Sequence, residues 1–190
     1  MIYTRYLTLS VLFLALSFSQ ACDAQQVSSA PDGFQMTLRQ TTILSPEQTS
    51  EKMVNDFAKW WDGSHSYSGK AENLSLDLKK MAMFEELPDG GFVRHLEIIY
   101  FQPGKAIRLS GGLGPLQPMG VNGSLTISLK KIETGTQIDL QYNVSGAAKL
   151  SLDKLAGPVQ FVLTNQLKRL KNYCNTGSPK AAADSKAADK

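Results

Sequence analysis

Residues 155–174 read LAGPVQFVLTNQLKRLKNYC. Leu155, Val159, Val162, Leu163, Leu167, Leu170 and Tyr173 recur at spacings of three and four, which lays one broad apolar stripe along a helix. Asn165, Lys168, Arg169, Lys171 and Asn172 fall on the wet side. A proline disfavours a helix interior, so the long segment is predicted to start at Pro158, in its first turn, with Gly157 before it. A stripe that wide must be covered, and the material upstream of it is a run of strands.

From Leu74 to this helix the pattern has period two. Val121, Leu125, Ile127 and Leu129 oppose Asn122, Ser124, Thr126 and Ser128. After a turn at Glu133-Thr134-Gly135, Ile138, Leu140, Tyr142 and Val144 oppose Gln137, Asp139, Gln141 and Asn143. One dry and one wet face is what an antiparallel sheet covered on a single side requires. Short strands are predicted around Leu74–Leu78, Met81–Leu87 and Ala106–Ser110 and a long one over Phe92–Phe101, with a hairpin turn at Pro88-Asp89-Gly90-Gly91. Phe34, Met36 and Leu38 alternate with Gln35, Thr37 and Arg39 in a half-buried first strand. Ser45-Pro46-Glu47-Gln48 then opens a helix with a hydroxyl cap, a first-turn proline and a glutamine placed for a capping box; Met53, Phe57, Trp60 and Trp61 form its apolar face. The order is strand, helix, six strands, helix. It predicts an α+β fold: a curved antiparallel sheet of about seven strands wrapped around the C-terminal helix.

The ends read differently. Arg5 followed by the apolar run Tyr6–Phe18 and the small residues Ser19, Ala21 and Ala24 reads as a signal peptide over residues 1–24, too short to span a bilayer comfortably. A periplasmic or secreted protein follows from it. The alternative is a membrane-anchored lipoprotein tethered through an acylated Cys22, although Ser19 and Gln20 suit a lipid-attachment motif poorly. Either way no transmembrane helix is expected in the mature chain. Residues 25–32 read as a flexible leader, 33–174 as the folded domain and 175–190 as a disordered tail of alanine, lysine, aspartate and serine.

With Cys22 removed or lipidated, Cys174 has no intrachain partner, so the core must hold by burial. A net charge of +3 with acids and bases interspersed leaves no basic stripe and argues against nucleic acid. Two histidines far apart and no cysteine pair fall short of a zinc site, and no cofactor is expected. Gly111-Gly112-Leu113-Gly114-Pro115 lacks the following helix N-terminus of a phosphate loop and reads as a flexible cover, with Leu113, Leu116 and Met119 apolar enough to close a pocket entrance.

The element order, with the stretches Trp60–Gly69 (WWDGSHSYSG), Asn73–Asp77, Leu87–His95 (LPDGGFVRH), Pro103-Gly104-Lys105 and Gly112–Gln117, resembles the START-like or helix-grip superfamily, also called SRPBCC. It is most similar to bacterial members described as polyketide cyclase or dehydrase and lipid transport, or as Hsp90-ATPase-activator-like. The resemblance implies a helix-grip fold and a cavity for a hydrophobic or amphipathic small molecule between sheet and helix. It also leaves open a cyclase or dehydrase using a cavity histidine, and a protein-interaction or chaperone-like module with a closed core. Catalysis is the less favoured of these.

The residues expected to line such a space are Trp60, Trp61, Met83, Leu116, Met119, Tyr142 and Phe161, with His65, Tyr67, Arg94 and His95 as polar groups. Each has an ordinary alternative: large side chains at these periods are usually core, and His65 can simply order its loop. On strict alternation His95 shares a strand face with Glu97, and Arg94 takes the other face with Leu96 and Ile98. A buried Arg94 would suit a carboxylate, and a buried His95–Glu97 pair would suit acid–base work.

Overall fold

The computed structural model describes residues 25–181; the expected signal peptide, Cys22 and most of the predicted tail lie outside the described residues. Eight strands form one antiparallel sheet: β1 (Gln25–Ala30), β2 (Gly33–Thr42), β3 (Leu74–Asp77), β4 (Ala82–Glu86), β5 (Phe92–Gln102), β6 (Ala106–Ser110), β7 (Asn122–Ile132) and β8 (Gly135–Ser145). Their order across the sheet is β1-β2-β8-β7-β6-β5-β4-β3. Between β2 and β3 lie α1 (Pro46–Asn55) and the single turn α2 (Phe57–Trp60); α3 (Asp153–Thr176) ends the fold.

The dry faces are those the alternation predicts. Phe34, Met36 and Leu38 of β2, Leu125, Ile127 and Leu129 of β7, and Ile138, Leu140, Tyr142 and Val144 of β8 are all buried. Opposite them Leu163, Leu167, Leu170 and Tyr173 bury the stripe of α3. This helix packs against β2 at one side of the sheet, while its N-terminal half faces Leu74, Met83 and His95 of β3–β5 on the other. The sheet therefore curves around the helix, in a helix-grip arrangement. The capping box at α1 forms as expected: Gln48 N–H donates to Ser45 Oγ at 3.2 Å, and Ser45 N–H to Gln48 Oε1 at 3.1 Å.

Three expectations are corrected. The leader is not loose: Gln25–Ala30 pairs along β2 as an edge strand, so the sheet has eight strands rather than about seven. Its turn is tied down because Pro31 C=O accepts from Leu152 N–H at 3.0 Å and Asp32 C=O from Gly146 N–H at 2.9 Å. The last helix starts five residues before Pro158, at Asp153, and runs past Cys174 to Thr176. Burial of Leu152 and Ala156 draws the chain into a helix upstream of the proline, outweighing the one backbone bond that Pro158 cannot make. Finally, β5 does not alternate strictly. It carries bulges at His95, against β4, and at Ile99, against β6. Each extra residue moves the following side chains to the other face.

Close backbone approach fixes one glycine. Gly123 on β7 stands against Gly111, whose N–H donates to Gly123 C=O at 3.0 Å; a Cβ at position 123 would overlap the Gly111 carbonyl oxygen.

The gripping face of α3 is testable against its outer face. Leu170→Ala should cost about 2–5 kcal/mol in denaturant unfolding, whereas Phe161→Ala, at a side chain 73% exposed, should stay within about 0.5 kcal/mol.

Candidate functional site

A cavity of about 240 Å³ lies between the N-terminal half of α3 and strands β3–β5. Leu155, Pro158, Val159, Val162 and Leu163 form its helix side; Leu74, Met83 and His95 form its sheet side. Trp61, His65 and Ser66 close one edge from the loop after α2, and Leu113, Gly114 and Pro115 close another from the loop between β6 and β7. The lining is apolar but for His65, Ser66 and His95.

Each wall is held by a polar contact outside it. Gln166 of α3 is buried, donates from Nε2 to Asp62 C=O at 3.2 Å, and accepts Asp62 N–H on Oε1 at 2.8 Å. Arg169 Nε donates to Trp60 C=O at 2.9 Å. Together these clamp the corner that presents Trp61. Tyr142, buried on β8, donates its hydroxyl to Gly111 C=O at 3.0 Å and accepts Leu113 N–H at 2.9 Å. Burial pushes that phenol up to about 12, so it stays a neutral hydrogen-bonding post for the loop. The two loops meet where Tyr67 Oη donates to Gln117 Oε1 at 3.4 Å.

The polar end is built around a carboxylate that sequence reasoning did not single out. Glu85 on β4 is fully buried, and its Oε2 lies 2.7 Å from His95 Nε2. Oε2 also accepts Tyr67 N–H at 3.2 Å, and Oε1 accepts Ser68 N–H at 2.6 Å. Burial alone would raise this carboxyl, but the hydrogen bonds from Ser68, His95 and Tyr67 outweigh it and hold the group at about 2, below its ordinary 4.5. The bulge at His95 makes the pair possible, because it turns both His95 and Leu96 inward beside Met83 and Glu85.

Of the residues expected to line the space, Trp61, His65, Met83 and His95 do so. Trp60 is core, with its indole N–H on Met53 C=O at 3.1 Å. Leu116, on the β6–β7 loop, is fully buried in the core, and Met119 packs partly against it. Tyr142 anchors a wall rather than facing the space. Tyr67 is 58% exposed and contributes its backbone, and Phe161 points away from the sheet on the outer side of α3. Arg94 is outside too, paired with Glu97 at 3.3 Å on the solvent face, so neither the carboxylate-binding arginine nor the His95–Glu97 pair exists. Glu85 could have been found by its inward register beside Met83, had the bulge been visible.

Among solved structures the chain is similar to CalU16 from Micromonospora echinospora, with a TM-score of 0.50 and 9% identity over 87% of this chain and 91% of that one. It is similar also to EF2215 of Enterococcus faecalis, a protein of unknown function (TM-score 0.54, 14% identity, 83% and 80% covered). A third is Aha1 from Colwellia psychrerythraea, a dimer in solution (TM-score 0.51, 14% identity, 75% and 97% covered). At such identities the likeness is one of fold, the helix-grip arrangement already described. No family model matches the chain. No curated protein matches it either.

Glu85 ties acid stability to this site. A carboxyl lowered in the folded state contributes fully above about pH 4.5, and that contribution is lost as pH falls toward about 2. Over that window the wild-type protein should lose on the order of 3 kcal/mol more stability than Glu85→Gln, read from urea unfolding at each pH.

Proposed function

We propose that this chain is an exported helix-grip domain that holds a hydrophobic or amphipathic small molecule between α3 and strands β3–β5, without transforming it. The observation that carries the reading is the cavity itself: about 240 Å³, walled by Leu74, Met83, Leu113, Leu155, Val159 and Val162. Without a ligand the apolar wall of that space stays in contact with water, which costs about 25 cal/mol for each Å² left unburied. A bound apolar molecule removes that cost, and a few polar groups at one end orient it, which is the usual make-up of a small-molecule site. Export rests on the signal-like residues 1–24, with tethering through an acylated Cys22 as its variant form. Among the described residues no helix is long and apolar enough to cross a membrane.

The Glu85–His95 pair supports a second reading, in which His95 acts on the bound molecule as a general base. Its mark would be turnover lost in a His95 variant that still binds.

Protein purified from its own host should carry a stoichiometric small-molecule adduct in native mass spectrometry. Val159→Trp, which fills the space from the helix side, should reduce occupancy at least tenfold while shifting the melting temperature little. A bare wild-type mass, with no apolar compound taken up on addition, would overturn the binding reading.

A further inference from the structure

The ligand class can be narrowed from the polar end of the cavity, resting on the reading of that cavity as a binding site. Glu85 is saturated with donors: Ser68 N–H on one oxygen, Tyr67 N–H and the His95 ring on the other. A carboxylate in that position is ionised and can only accept, so the proton in the 2.7 Å contact belongs to His95 Nε2. In the neutral imidazole the lone pair is then on Nδ1. His95 is itself a wall residue and is almost fully buried, with the Tyr67 ring 5.8 Å away over it. His65 and Ser66, by contrast, sit on the loop at the edge of the space.

We propose that the molecule held here carries a hydroxyl group, that this hydroxyl donates to His95 Nδ1, and that Glu85 is the positioning residue that holds the proton of the neutral ring on Nε2, so that the lone pair is presented on Nδ1. The remainder of the molecule is apolar, as the rest of the wall is. Its size follows from the volume. An apolar cavity of about 150 Å³ holds benzene, so about 240 Å³ suits a body of about two fused rings or a comparable short chain. A full diacyl lipid is too large for it.

A matched pair of probes tests the claim without altering the protein: 2-naphthol and 2-methoxynaphthalene, which share an apolar body but differ in the hydroxyl hydrogen. Titrated by fluorescence at neutral pH against the intact domain, 2-naphthol should bind roughly tenfold more tightly, about one buried hydrogen bond. In Glu85→Gln the amide can donate to Nε2 and move the ring proton to Nδ1, so the preference should vanish or reverse. A merely structural Glu85 would weaken both probes alike. Nitrogen-15 spectra of the ligand-free wild-type protein should show His95 protonated on Nε2 and bare on Nδ1. Equal binding of the two probes overturns the hydroxyl assignment and leaves the cavity reading standing. So does tighter binding of 2-naphthoate, which would mean that the ring offers a proton instead of a lone pair. If neither naphthalene binds, the cavity reading falls and this inference with it.

Discussion

The packing of Leu163, Leu167 and Leu170 onto the concave sheet is the constraint on which the molecule turns, and a buried amide sets where along the helix it acts. Gln166 lies among those leucines, 1% exposed, and both ends of its side chain are bonded to the backbone of Asp62. A slip of the helix along its axis would leave that amide buried without partners, at about 1–3 kcal/mol for each lost group. Apolar packing supplies the affinity of helix for sheet, and Gln166 supplies its register. With the C-terminal half fixed this way, the N-terminal half faces β3–β5 across a gap that its own side chains, Leu155, Val159 and Val162, do not fill.

Much of this is written in local pattern. The strands β2, β7 and β8 expose their faces by alternation, and Ser45 to Gln48 announces α1, because neighbours in sequence decide these features. What stays hidden depends on distant partners. Nothing in Gln25–Ala30, whose residues are all exposed, marks a strand; it is ordered by the free edge of β2 and by contacts to Gly146 and Leu152. Pro158 reads as a boundary until Leu152 and Ala156 find the core. Strict alternation along β5 pairs His95 with Glu97, but a bulge carries no glycine or proline here to betray it. One unpaired residue sends Glu97 out to Arg94 and leaves His95 to Glu85 on the next strand.

The same bulge explains why the polar groups sit at this end of the cavity. A regular strand would place either His95 or Leu96 inside; the extra residue places both. Leu96 continues the core, and His95 is brought to the wall with its Nε2 already spoken for. Glu85 in turn owes its ionised state to Tyr67 and Ser68, whose N–H groups come from the loop that carries His65 and Ser66. A buried charge is thus the hinge pin between a strand and a cavity rim.

That arrangement separates the floor of the site from its edges. Leu74, Met83 and His95 belong to paired strands, and Leu163 to the gripping half of α3. The rim belongs to two loops: one is moored at Glu85 and, through Asp62, at Gln166, the other at Tyr142 and through Gln117 Nε2, which donates to Arg94 C=O at 2.8 Å. Where they meet, Tyr67 and Gln117 share only a long hydrogen bond of 3.4 Å between exposed side chains. The two covers are thus each tied more firmly to the sheet and helix beneath them than to one another.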